Sequence, residues 1–277
     1  MANEFADRIV VVTGAGRGLG RAHAMAFAER GARVVVNDLG GAVDGTGSGT
    51  TAQAVVDEIR AGGGTAIAST ASVATEEGAR SIIKDAVDAF GGVDILVNNA
   101  GILRDKTFRN VSLDNFRAVL DVHLMGSIYV THAAWPIMVE RGWGRVVLVS
   151  SASGIFGNFG QSNYAAAKMG LVGLMNVLKL EGAGKGIAVN TIAPGALTRM
   201  TEGLSPARQG LPEQVSPAVL YLCSENAPNG VILHAEAGQF RVLRVCANNG
   251  LTLGDDVTYE DFASQADALF ADTQFSS

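Results

Sequence analysis

Apolar residues along this chain follow two alternating rhythms. Short runs rich in β-branched residues, at Ile9–Thr13, Arg33–Asn37, Thr65–Ser69, Asp94–Asn98, Arg145–Ser150 and Ile187–Thr191, with a weaker one at Val231–His234, read as strands. Between them lie Ala-rich stretches whose apolar positions recur three and four residues apart, at about Leu19–Arg30, Thr51–Ala61, Glu76–Phe90, Asn115–Arg141, Asn163–Glu181 and Glu213–Cys223. These read as helices. The strand runs are mostly continuous rather than alternating, as befits strands buried on both faces. Strand and helix in repeated succession predict an α/β fold, a doubly wound parallel sheet of Rossmann-like type.

Two segments stand outside this rhythm. Gly40–Thr50, GGAVDGTGSGT, is low in complexity and falls between the second strand and its helix, so it is either a plain flexible loop or one that closes over a ligand. Near the C-terminus, TYEDFASQADALFAD has the spacing of an amphipathic helix that would cover a substrate cleft or a subunit interface. The expected organisation is one domain over residues 1–250 and a C-terminal extension over 251–277.

Composition narrows the function classes. With 277 residues, 48% hydrophobic and 17% charged, the chain can bury a large core. A net charge of −6 does not suggest a nucleic-acid partner. No apolar stretch reaches membrane-spanning length, so no membrane association is expected. The opening MANEFADRIV shows no leader, and Cys223 and Cys246 are too few for a disulfide framework, which together predict a reducing, cytoplasmic setting. His23, His132 and His234 form no ligand cluster in the sequence, and no metal is expected.

The first candidate chemistry follows the first strand. In TGAGRGLGRA, Gly14, Gly16, Gly18 and Gly20 precede a helix, where glycine lets the backbone approach a diphosphate and the helix start offers free N–H groups to the anion. Asp38 ends the second strand about 20 residues later, placed to accept hydrogen bonds from ribose hydroxyls. A carboxylate there would repel a 2′-phosphate, so NAD is expected over NADP, with Arg17 in the glycine loop as the competing signal. NNAG, Asn98 to Gly101, ends the fourth strand in small residues against which a cofactor could lie.

The second candidate chemistry is SSASGIFGNFGQSNYAAAKMG. Tyr164 and Lys168 are four apart on a predicted helix and share a face, while Ser151 sits just past the fifth strand, at the carboxyl edge of the sheet. A tyrosine is a poor base at neutral pH; a desolvated ammonium nearby favours the phenolate and makes it one. Ser151 could hold an oxygen on which charge changes.

Taken in order, TGAGRGLG, NNAG, Ser151, YAAAK and PGALT resemble the short-chain dehydrogenase/reductase family over about Arg8 to Ala237. The resemblance implies Tyr164 as acid/base, Lys168 as ribose ligand that lowers the tyrosine pKa, and Ser151 as substrate-orienting hydroxyl. It also implies a cofactor held by Gly14, Arg17, Gly18, Leu19, Gly20 and Asp38. Ser72, Val73 and Asn99 would meet the adenosine and riboses, and Pro194–Thr198, with Ala196, Leu197 and Thr198, the nicotinamide carboxamide. A fourth-helix asparagine of the family is replaced by His123, which takes the relay or scaffold slot. A homo-oligomer, dimer or tetramer, is implied as well.

Within the family, VVVNDLGG, NNAGILRD, DVHLMGS and NTIAP are similar to the (3R)-hydroxyacyl-CoA dehydrogenase group found in peroxisomal multifunctional enzymes of type 2, also known as a 17β-hydroxysteroid dehydrogenase group. No hydratase or sterol-carrier sequence follows, so such activities are expected from separate proteins. The implied reaction is oxidation of a (3R)-3-hydroxyacyl-CoA by NAD. A steroid alcohol or a 3-oxoacyl carrier-protein stays open, as does a non-catalytic NAD-binding regulator. Ile155, Phe156 and Phe159 suit an apolar cleft wall, and Arg104, Arg109, Arg199 and Arg208 are candidates for the CoA phosphates.

Overall fold

The structure is a computed structural model that describes residues 4–196, 210–271 and 275–276. It divides into two compact units, Met1–Val242 and Leu243–Ser277.

The first unit is built on one sheet. Seven strands enter it in the order β3 (Thr65–Ser69), β2 (Arg33–Asn37), β1 (Ile9–Thr13), β4 (Ile95–Asn98), β5 (Gly144–Val149), β6 (Ile187–Gly195) and β7 (Ile232–Glu236), all parallel to their neighbours. An eighth, β8 (Gln239–Leu243), adds to β7 at the edge. The strand order reverses between β1 and β4, and at that switch point the carboxyl ends of two strands part to leave a crevice.

Local sequence explains most helix limits. Helices α1 (Gly18–Ala28), α2 (Thr51–Ala61) and α3 (Glu76–Phe90) follow β1, β2 and β3. Thr75 caps α3 by accepting from the Gly78 N–H, Glu76 and Glu77 complement the positive end of its dipole, and Gly91 ends it at φ +89° in the left-handed region. Central strand residues such as Val10, Val12, Val97 and Val147 are buried in one continuous core with Phe27, Val55 and Ile192.

Three features depart from the hydrophobic pattern. The predicted helix Asn115–Arg141 is two helices, α4 (Leu113–Leu120) and α5 (Gly126–Arg141), joined by a π turn over Asp121–Met125 in which the Gly126 N–H donates to the Asp121 carbonyl. A short helix, α6 (Ala152–Phe156), precedes α7 (Ser162–Ala183) where a loop was expected. The predicted helix Glu213–Cys223 starts with a 3₁₀ turn, Pro212–Gln214, before α8 (Ser216–Leu222).

In the second unit α9 spans Tyr259–Ala271, preceded by Thr258, whose Oγ1 accepts from the Asp261 N–H at 3.2 Å while the Asp261 carboxylate accepts from the Thr258 N–H at 3.0 Å. Strands β9 (Ala247–Asn248) and β10 (Phe275–Ser276) pair antiparallel beside it in sequence. Among the described residues no helix is long and apolar enough to cross a membrane.

Candidate active site

At the switch point the chain leaves β1 through Gly14, at φ +63°, and enters α1 after Arg17. The backbone is packed so closely here that a Cβ on Gly14 would sit 2.7 Å from Ala100 Cα, and one on Gly20 would sit 2.3 Å from the Gly14 carbonyl oxygen. The N-cap residue Arg17 makes no side-chain cap bond to the first turn of α1. That turn adjoins a cavity of about 270 Å³ lined by Gly14, Arg17, Gly18, Leu19, Asp38, Ser72, Val73 and Asn99 among others. These eight were marked in the sequence. Gly20 lies beneath, against Gly14 and Asn99 rather than in the cavity wall.

Asp38 is bound on both oxygens. Oδ2 accepts from the Gly16 N–H at 2.8 Å, and Oδ1 from the Gly40 N–H at 2.6 Å and the Thr51 hydroxyl at 3.3 Å. A carboxylate oxygen has room for a further donor, so Asp38 can fix the glycine loop and still receive a ribose hydroxyl. Asn99 donates to the carbonyls of Thr13 and Gly14, both at 3.0 Å, which ties the glycine loop to β4. Thr13 Oγ1 in turn accepts from the N–H groups of Asn99 and Ala100 at 3.0 and 3.1 Å. Neither Thr13 nor Thr51 carries a motif in the sequence; their roles depend on contacts with segments far along the chain, Thr13 with Asn99 and Ala100 and Thr51 with Asp38.

The second cluster gathers at the ends of β5 and α7. Ser151 is the N-cap of α6, its hydroxyl accepting from the Ser153 N–H at 3.1 Å, and it is hydrogen-bonded to Tyr164. Burial pushes the Tyr164 phenol above its ordinary pKa; the Ser151 bond opposes this and the charge of Asp105 adds to it. Lys168 is buried, with its pKa pushed down to about 7 by desolvation, and Nζ donates to the Val149 carbonyl at 2.5 Å and lies 5.5 Å from the Tyr164 ring centre. Near neutral pH the amine is therefore divided between charged and neutral forms.

His123 comes inward on the π turn. Its ring stands edge-on to Tyr164 with centroids 5.1 Å apart, and Nε2 lies 3.0 Å from the Ile102 nitrogen and 2.8 Å from the Ile102 oxygen. Nδ1 is buried without a partner among the described residues. Burial, then the charge of Lys168, hold the His123 pKa well below its usual value, so the imidazole is neutral. It packs tightly against the strand end, since a Cβ on Gly101 would lie 2.2 Å from its Cε1.

The remaining expected residues are less gathered. Ala196 is buried and pairs with Gly210 in an isolated bridge, while Leu197, Thr198, Arg199 and Arg208 lie outside the described residues. Phe156, at the end of α6, and Phe159, in the loop that follows it, stand 71% and 90% exposed. Arg104 is already engaged, donating to the Asp44 carbonyl and to Asn115 Oδ1.

The glycine turn that a side chain would fill, the helix start whose N-cap makes no side-chain bond and the carboxylate at the end of β2 fit the diphosphate and ribose of a nicotinamide dinucleotide. Residues 8–209 match the model of the short chain dehydrogenase family. The chain is 51% identical over 264 residues to a Mycobacterium tuberculosis protein described as a short-chain type dehydrogenase/reductase, covering 94% of this chain and 92% of that one. It is also 51% identical over 245 residues to the peroxisomal multifunctional enzyme type 2 of Mus musculus, where the match takes 87% of this chain but spans only 33% of the mouse protein. A crystal structure of a short chain dehydrogenase from Mycobacterium avium superposes with a TM-score of 0.86 at 41% identity, over 97% of this chain and 96% of the other.

Proposed function

The chain belongs to the short-chain dehydrogenase family, and we propose that within it the protein oxidises a secondary alcohol, a (3R)-3-hydroxyacyl-CoA, to the 3-oxoacyl-CoA with NAD. The observation that carries this reading is the convergence of Ser151, Tyr164 and Lys168 at the carboxyl edge of the sheet. The acyl-CoA part rests on the similarity to the mouse multifunctional enzyme.

A bound nicotinamide would supply the acceptor for the two electrons and the hydrogen leaving the carbinol carbon. Everything else falls to the chain. The Tyr164 oxygen takes the hydroxyl proton, and Ser151 Oγ holds the same substrate oxygen as its charge changes. Because burial alone raises the phenol, Tyr164 becomes a useful base only when the cationic form of Lys168 favours the phenolate. His123, neutral and bonded to Ile102, holds the end of β4 against the Tyr164 ring. Asp38 favours NAD, since a 2′-phosphate beside it would set like charges together. The working form is a homo-oligomer, dimer or tetramer.

The test is a panel in which purified protein meets NAD or NADP with (3R)- and (3S)-hydroxyacyl-CoA esters, hydroxyacyl carrier-protein and steroid alcohols, read by nicotinamide absorbance. Turnover is expected with the (3R)-CoA ester and NAD, and loss of at least about 10³-fold in Tyr164→Phe with NADH binding retained. Preference for another alcohol overturns the substrate, and tight NAD binding without turnover of any alcohol makes the protein a regulator. Substantial turnover in Tyr164→Phe removes the base.

A further inference from the structure

The Gly40–Thr50 segment does not hang free. It leaves the end of β2 beside Asp38, closes on itself where the Gly49 N–H donates to the Leu39 carbonyl at 3.1 Å, and forms a turn in which the Ala42 N–H donates to the Thr46 carbonyl at 2.8 Å. Asp44 stiffens that turn by accepting from the Thr46 N–H at 3.0 Å and its hydroxyl at 2.7 Å. The turn then reaches across the crevice to the segment after β4. The Val43 carbonyl accepts from the Leu103 N–H at 3.0 Å, Arg104 Nε donates to the Asp44 carbonyl at 2.9 Å, and Gly45 packs on Ile102 so closely that a Cβ would lie 3.0 Å from its Cγ2. Gly41, Ala42 and Val43 thus line one side of the adenosine cavity and Ile102 another.

What the strap grips is itself anchored to the reaction centre. The Ile102 backbone is held by His123, the Arg104 carbonyl accepts from Asn163 Nδ2 at 3.1 Å beside Tyr164, and Asp105 accepts from Gln161 at 2.6 Å. Arg104 Nη1 also donates to Asn115 Oδ1 at 3.1 Å. The strap itself carries five glycines in eleven residues, with Gly40, Gly45 and Gly47 at φ of +80°, +85° and +76°. A stiff anchor facing a glycine-rich strap makes a latch whose parts are all protein groups.

We infer that Arg104 is a positioning residue that latches the Gly40–Thr50 strap over the adenosine side of the crevice, so that the latch gates both uptake and release of the dinucleotide. The inference rests on the proposed nicotinamide-dependent function. It sets aside Arg104 as a ligand of CoA phosphate, because two of its donor groups are already committed to the protein.

A gate and a simple contact predict different kinetics. Weakening a gate made of protein groups speeds association and dissociation together, so the Kd changes little; losing a coenzyme contact speeds dissociation alone and raises the Kd in proportion. The experiment is stopped-flow binding of NADH and of NADPH, followed by nicotinamide fluorescence, with thermal melting as the check on folding. In Arg104→Ala both rate constants for the bound coenzyme are expected to rise about tenfold, the effect of losing one or two charge-assisted hydrogen bonds. Arg104→Lys, which keeps the charge and can restore one donor, should fall between. Gly45→Ala, strained at φ +85° and pressed against Ile102, should raise both rates with Arg104 intact, which keeps the test alive should Arg104→Ala fail to fold. Unchanged rates, or a faster dissociation with a matching rise in Kd, overturn the gate. If the unaltered protein binds neither coenzyme, it is the functional reading that fails, and the latch with it.

Discussion

At the scale of single residues, burial decides the chemistry more than charge pairing does. Tyr164, Lys168 and His123 are all shifted chiefly by desolvation, each towards its neutral form. The same force acts on a residue far from the proposed chemistry. His23, on α1, is buried with Nδ1 2.8 Å from the Ser216 hydroxyl and Nε2 unpartnered among the described residues, and its pKa is pushed down to about 3. A folded-state pKa below the unfolded value means that the unfolded chain takes up the proton first. Stability from the neutral ring is therefore present above about pH 6.5 and lost as pH falls towards 3, by up to about 5 kcal/mol. His23→Gln, which can keep a bond to Ser216 but cannot titrate, should lose less stability than the unaltered protein between pH 6.5 and 4 in urea titrations. Equal slopes for the two proteins would rule out a neutral His23.

At the scale of elements, α7 does two jobs on opposite faces. Asn163, Lys168, Leu171 and Met175 face inward, while Met169, Val177 and Leu180 stand 38%, 52% and 73% exposed along the outside. A helix apolar on every side calls for cover on every side. A second copy of α7 across a two-fold axis would provide it, and the same patch then meets itself. Leu180→Arg is expected to turn a dimer or larger assembly into monomers in sedimentation equilibrium, with the fold kept; a monomeric unaltered protein contradicts the proposal. Strands β1, β2 and β3 were readable in the sequence, their runs matching the observed strands residue for residue. The π turn was not, since DVHLM keeps ordinary helical periodicity and the extra residue in the turn shows only in backbone geometry. Nor was the β7–β8 hairpin, whose Ala237–Gly238 turn needs φ of +47° at an alanine, against that residue's preference. In the site, the glycines, Asp38, Ser151, Tyr164 and Lys168 were legible because their spacing repeats known chemistry. Gly40–Thr50 was legible as a loop that could close over a ligand, but its bonds to Leu103 and Arg104, and the role of Thr13, escaped because backbone bonds to distant segments leave little mark on residue type.

At the scale of the whole molecule, the question is how much of the chain the dinucleotide crevice needs. The described core cluster runs from Phe5 to Ala235 and includes no residue beyond that point. Every described residue lining the adenosine cavity falls between Gly14 and Val122. The second unit, Leu243–Ser277, has an internal bond from Asn248 Nδ2 to the Leu269 carbonyl at 2.9 Å and its own strand pair. A protein ending at Val242 would lose one residue of the edge strand β8 and nothing from the core cluster. It should unfold in one cooperative step with its Tm lowered by less than about 4 °C, the upper end of the shift that about 1 kcal/mol produces in a domain of this length. NADH affinity should stay within about twofold, an energy difference of about 0.4 kcal/mol. Calorimetry and fluorescence titration of the shortened chain decide the matter. Aggregation, or a Tm lower by tens of degrees, would make residues 243–277 part of the folding unit that builds the crevice. A preserved Tm with lost NADH binding would instead show that the crevice draws on the C-terminal residues in a way its lining does not reveal.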